Sequence, residues 1–87
     1  MYFVYLLSSQ VKPSQIHIGS TNNLERRLQQ HNQGKVFSTK PFLPWDLVYY
    51  EAYLLKEDAL KREGSLKKYG STYGFLKRRI KDSLDRA

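Results

Sequence analysis

Apolar positions recur along this chain with two different periods. The opening run "YFVYLLS" is apolar on both sides, with Tyr2, Val4 and Leu6 opposing Phe3, Tyr5 and Leu7. Aromatic and β-branched residues in that arrangement predict a central strand covered on both faces. "SQVKPSQ" breaks the pattern at Pro13, and "IHIG" resumes it with period two, Ile16 and Ile18 against His17 and Gly19. The two runs predict a hairpin closed by an irregular loop. Parity across the segment from Ser8 to Ser14 is not fixed by sequence, so His17 can share a face with Tyr5 or oppose it.

The period then lengthens. "STNNLERRLQQHNQG" predicts a helix of about three turns: Ser20, Thr21 or Asn22 can cap its free N–H groups, Glu25 follows Asn22 by three, and Gly34 suits the left-handed C-terminal position. "KVFSTKPFLP", with two prolines, reads as a loop, and "WDLVYYEAY" as a third strand. "KEDALKREGSLKKYG" and "STYGFLKRRIKDSL" give two more helices, separated at Gly70 and with Ser71 as the expected cap of the second. A stripe at Leu76, Ile80 and Leu84 should dock that last helix on the sheet. The order β-β-α-β-α-α indicates an α+β fold, a three-stranded, mainly antiparallel sheet flanked by helices.

Composition narrows the class. With 40% hydrophobic residues among 87, everything is expected to belong to one domain, 1–87. No apolar run approaches the roughly 20 residues that span a bilayer, and "MYFVYLLSS" is too short for a signal peptide and lacks its basic flank, so a soluble, cytoplasmic protein is expected. The chain has no cysteine, which excludes disulfides, thiol catalysis and cysteine zinc sites, and no structural metal is expected. The net charge of +7 favours polyanions, nucleic acid first and acidic membranes second. The last helix is basic, but its apolar stripe is interrupted by Gly74, which argues against a membrane partner. Tyr49, Tyr50, Tyr53, Tyr69 and Tyr73 are assigned to packing rather than to stacking on bases.

The informative polar residues sit where the period assigns apolar ones. On the first helix Leu24 and Leu28 form the buried row, Asn23, Arg27 and His31 the row beside it, and Arg26 points away, about 200° from Leu24. Arg27 is therefore the arginine that faces the sheet edge. In the second helix Ala59, Leu60, Leu66 and Lys67 mark the inward face, and Glu63 falls among them. An acid there is either paired, with Arg27 as one partner, or a metal ligand at the edge of a cleft. Glu57 and Asp58 are explained by the first turn's dipole, and a cationic His31 in a last turn would be explained by the opposite end.

Taken in order, "FVY" at 3–5, "HIG" at 17–19, "NNLERRLQQHNQGK" at 22–35 and "ALKREGSLKK" at 59–68 resemble the GIY-YIG nuclease superfamily. The likeness is to its small single-domain bacterial proteins, relatives of the excinuclease nuclease module and of homing endonuclease heads. It implies hydrolysis of a phosphodiester with one divalent cation, Mg²⁺ or Mn²⁺, on DNA, with RNA and a protein partner left open. Residue by residue it implies Tyr5 and His17 at the two tyrosine positions, Arg27 as the helix arginine and Glu63 as the metal ligand, these four forming the catalytic set, with Gly19 and His31 in support. Lys35, Lys40, Lys67 and Lys68 are the cations expected to hold the backbone. Two departures stand out: the first motif has lost its glycine, and His17 replaces a tyrosine. An imidazole with reference pKa near 6.5 is a better-poised base at neutral pH than a phenol near 10. His17 can equally mark a decayed site, leaving a non-catalytic nucleic-acid-binding or partner-recruiting module, or ligate a softer ion such as Mn²⁺.

Overall fold

The computed structural model describes residues 1–85, so the last two positions of the expected domain lie outside the described residues. The elements follow in the order β1 (Tyr2–Ser9), β2 (Ile16–Thr21), α1 (Leu24–Asn32), a 3₁₀ turn (Lys40–Phe42), β3 (Trp45–Tyr53), α2 (Lys56–Lys68), α3 (Gly70–Arg79) and α4 (Lys81–Asp85). The sheet is antiparallel throughout, in the order β2-β1-β3. The α+β class and the element order match the expectation, and no described helix is long and apolar enough to cross a membrane.

β1 is central because both its faces are apolar, and Val4 through Ser9 are all buried. Val4 and Leu6 face α2 and α3, where Ala59, Leu66 and Leu76 complete one core. Tyr5 and Leu7 face the other way, against Trp45 and the α1 residues Leu24 and Leu28. Each fully buried aliphatic side chain contributes about 2 kcal/mol of transfer free energy, so losing either cover would cost the fold several such terms. A register shift between Leu6 and Leu7 gives β3 an extra residue there, pairing Leu6 with Tyr49 and Leu7 with Leu47. The bulge lets Val48 and Tyr49 both join the α2 side, while Leu47 and Trp45 return to the α1 side.

α1 starts one residue later than the expected caps allow. Asn23 is the N-cap, accepting from the Arg26 N–H at 3.0 Å, and Gly34 takes the left-handed conformation after its end, at φ 73°. Asn32 fixes α1 to the sheet by two hydrogen bonds to the Trp45 backbone, its Oδ1 accepting from the N–H at 2.6 Å and its Nδ2 donating to the carbonyl at 3.0 Å.

Four expectations about the C-terminal half are corrected. Ser71 is not a cap: α3 begins at Gly70, with Tyr69 in the capping position and no side-chain hydrogen bond there. The last helix is two, broken at Ile80, although Leu76 is buried and Ile80 packs against the core as the stripe requires. On α2, Leu60 and Lys67 are exposed, and the inward row is Ala59, Arg62, Glu63 and Leu66, because a residue seven positions on, not eight, closes two turns. Tyr50 and Tyr69 are also exposed, at 53% and 52%, while Tyr49, Tyr53 and Tyr73 pack against the core.

Candidate active site

Register settles where His17 points. Leu7 pairs with His17 and Tyr5 with Gly19, and residues directly opposite in an antiparallel pair share a face, so His17 lies on the Tyr5 side of the sheet. Gly19 gives the Tyr5 ring its space: a Cβ there would come within 2.6 Å of the ring carbon Cζ. Across the same face α1 presents Arg27 and His31, four residues apart on one row.

The four side chains form a connected cluster. The Tyr5 hydroxyl is 2.9 Å from His31 Nε2 and accepts from Arg27 Nε at 3.3 Å. Arg27 Nη1 donates to Gln30 Oε1 at 3.1 Å. The His17 ring lies 4.8 Å from that of His31 and 6.0 Å from that of Tyr5, centroid to centroid. Proton counting orients the chain. Thr39 Oγ1 donates to the Val36 carbonyl, so at its 2.8 Å contact with His31 Nδ1 it accepts from the ring N–H. His31 Nε2 is then left as an acceptor, and the Tyr5 phenol donates to it.

His31 is fully buried and is not the solvent-facing cation its place in the last helical turn first implied. Burial, reinforced by the neighbouring His17 and the Arg27 charge, pushes its pKa down to about 4, so it is neutral at physiological pH. Burial also lowers the pKa of His17, aided by the charges of Lys67 and Arg27 and opposed by Glu63. Tyr5 moves the other way: burial raises it, with Arg27 acting against the rise.

Glu63 is held at the β2 edge by two side chains outside the cluster. Its Oε1 accepts from the Ser20 hydroxyl at 2.8 Å and its Oε2 from the Lys67 ammonium at 2.7 Å. The ion pair is with Lys67 and not with Arg27, which lies on the other face of the sheet. The Glu63 carboxylate is still close enough for its charge to be felt at both Tyr5 and His17. The structure thus brings Tyr5, His17, Gly19, Arg27 and His31 together on one face and sets Glu63 and Lys67 at the adjoining edge. Lys35 and Lys40 are exposed on the loop that carries Thr39, and Lys68 is exposed beside Tyr69.

Two participants escaped the sequence reading. Ser20 left a signal, since it continues the Ile16–Ile18 row as a polar residue on an apolar face. Thr39 left none, because it belongs to an aperiodic loop and is buried only by the tertiary fold.

The donors at the β2 edge, a carboxylate and a hydroxyl, are hard oxygens that suit a hard divalent cation. The Lys67 ammonium already lies against the carboxylate, showing that positive charge is accommodated there. Among the described residues no three His, Asp or Glu side chains gather at one point, so such an ion would take most of its ligands from water and substrate phosphate.

Comparison with known proteins gives a family match to the GIY-YIG catalytic domain over residues 1–78. The chain is 47% identical over 53 residues to the Structure-specific endonuclease subunit SLX1 of Debaryomyces hansenii, covering 54% of this chain and 15% of that protein. It is 46% identical over 72 residues to the protein of that name from Scheffersomyces stipitis, covering 74% of this chain and 21% of that protein. A UPF0213 protein of Clostridium perfringens is 39% identical over 69 residues, which cover 78% of this chain and 72% of the relative. The chain therefore matches nearly three quarters of the small bacterial relative but only about a fifth or less of the fungal proteins.

Proposed function

The chain belongs to the GIY-YIG nuclease family, and on that basis we propose that it is a divalent-metal-dependent endonuclease. It hydrolyses phosphodiester bonds of structured or damaged DNA in the cytoplasm, acting as one domain. The observation that carries this reading is the cluster of Tyr5, His17, Arg27 and His31 on one face of the sheet, with the Glu63 carboxylate at the adjoining edge, near enough for its charge to bear on Tyr5 and His17. RNA is a weaker candidate substrate. The fungal relatives are named as subunits, and a protein partner that selects the substrate belongs to the same proposal.

Glu63 and the Ser20 hydroxyl would hold the cation, Mg²⁺ before Mn²⁺ because both donors are oxygen, with Lys67 displaced onto the phosphate. When bound, the ion polarises the phosphoryl oxygen. Arg27 keeps its full charge, since its partners are a phenol and an amide, and its forked donors stabilise negative charge developing on the phosphate. Tyr5 is a poor base: its pKa is raised, and the acceptor of its proton, His31, resists protonation. It positions the attacking water instead. His17, neutral at physiological pH because its pKa is lowered, takes the water's proton. Lys35, Lys40, Lys67 and Lys68 add sequence-independent attraction to the backbone.

The test is cleavage of labelled linear, nicked and branched DNA by the pure protein with Mg²⁺ or Mn²⁺, beside Glu63→Ala. Metal-dependent cutting that vanishes in the variant, with binding kept or tightened by the loss of a negative charge near phosphate, is the expected result. Binding without cutting on every substrate would convert the reading to that of a recruiting module.

A further inference from the structure

We propose that the cleft between the β1–β2 loop and the α3–α4 pair is a second nucleic-acid contact, a phosphate track that carries the substrate's backbone away from the β2 edge. The inference rests on the nuclease reading of that edge and extends it to residues outside the motif.

The cleft has a volume of about 830 Å³, with Gln15 and Ile16 on one wall and Tyr73, Lys77, Arg78 and Lys81 on the other. A smaller recess beside it is lined by His17 and Lys67 and shares Ile16 and Tyr73 with the larger one. One continuous surface therefore runs from the catalytic histidine, past Lys67 and Tyr73, to three further cations. Tyr73 and Lys77 stand four residues apart in one row of α3, and Lys81, at the start of α4, lines the same cleft.

Two of these three charges are not structurally spent; the third, Lys81, holds Asp85, which also lines the cleft, at 2.6 Å. Among the described residues the other ion pairs join Arg62 to Glu51 and Lys67 to Glu63, so Lys77 and Arg78 have no carboxylate partner. Their charged ends instead lie 5.5 Å and 4.8 Å from the ring centroids of Tyr73 and Phe75. These aromatic contacts hold the side chains in place but leave their hydrogen-bond donors available for phosphate oxygens. Concavity selects the ligand: a walled groove with Gln15 and Ile16 on one side and cations beside Tyr73 on the other suits a nucleic-acid strand, whereas a lipid surface needs a protruding apolar face.

The test is binding of a labelled nicked duplex in EDTA, where cutting is suppressed, as a function of KCl. The proteins are the wild type, Lys77→Gln/Arg78→Gln, and Lys61→Gln/Arg79→Gln as a pair of equal charge change elsewhere on the surface. Loss of two phosphate contacts should lower the slope of log K against log salt by about 1.8 in the first variant, with the control staying near the wild type. An unchanged slope in Lys77→Gln/Arg78→Gln, or an equal drop in the control, overturns the track. So does loss of binding to phosphatidylserine vesicles with DNA binding intact, which would reassign the surface to membranes. Because the assay needs no chemistry, a protein that shows the slope change yet cuts nothing keeps the track and loses the nuclease reading.

Discussion

Opposite faces of the sheet carry two clusters, each with an arginine bonded to side chains that include or adjoin a tyrosine. On the α2 side, Glu51 accepts from Tyr49 and Tyr53, each at 2.5 Å, and from Arg62 Nε and Nη2 at 2.9 Å and 3.0 Å. Burial works against the Glu51 charge, but the guanidinium and the two phenols hold its pKa below the ordinary value. Burial and that carboxylate together push both phenols up to about 12. Every charge there has its opposite. On the α1 side, Arg27 is held by the neutral Tyr5 and Gln30, and both histidines are kept uncharged. An arginine matched by a carboxylate closes a structure, whereas one held by neutral acceptors keeps its charge for an incoming anion.

The two faces should differ most at His17. His17→Phe keeps a ring but removes the nitrogen, and losing a general base should lower the cleavage rate about 10²- to 10⁴-fold. The wild-type rate should rise with pH through a midpoint below 6.5, and that acid limb should be missing in the variant. An unaltered pH profile in His17→Phe would move the base to another residue.

Arg27→Ala should cost about 10²- to 10³-fold in kcat/KM, equivalent to about 3–4 kcal/mol of barrier. Urea unfolding should meanwhile change by less than about 1 kcal/mol, because no charge is left stranded. Arg27→Lys should not restore the rate, since an ammonium lacks the fork. A large stability loss in Arg27→Ala would make the arginine a structural residue like Arg62.

Acid separates the clusters by pH window. Above pH 6.5 His31 is neutral in both the folded and unfolded states and contributes no linkage. Between 6.5 and about 4 the unfolded chain binds a proton that the folded site refuses, so stability falls as pH falls. The loss should reach roughly 2–3 kcal/mol and shrink in His31→Gln to the part due to His17, whose pKa is lowered as well. Glu51, whose folded pKa is depressed, contributes stability that is present above 4.5 and is lost at still lower pH. Urea titrations across pH 3.5–7 of the wild type, His31→Gln and Glu51→Gln should show the two windows; a single shared one would mean that the clusters are coupled.

Arg62→Ala should give the smallest of these effects. It strands a carboxylate whose side chain is 16% exposed, at a cost of about 2 kcal/mol of stability. The specific activity of the folded protein should be unchanged, and a parallel fall in activity would show that the two faces communicate.

Much of this architecture is encoded locally. Periods of two and of 3.6 are short-range properties, so the boundaries of β3, the two covered faces of β1 and the row joining Arg27 to His31 are legible in neighbouring residues alone. The α+β order and the motif residues on it follow from the same information. The facing of His17 does not, because the chain from Ser8 to Ser14 admits either parity and only strand pairing selects one. Nor do the Lys67 and Ser20 partners of Glu63, the neutrality of buried His31, the Glu51–Arg62 network or the cationic cleft beside Tyr73. Each of these joins segments far apart in sequence, and its energy depends on distance and desolvation, which the sequence leaves open until the sheet has closed and the helices have docked on it.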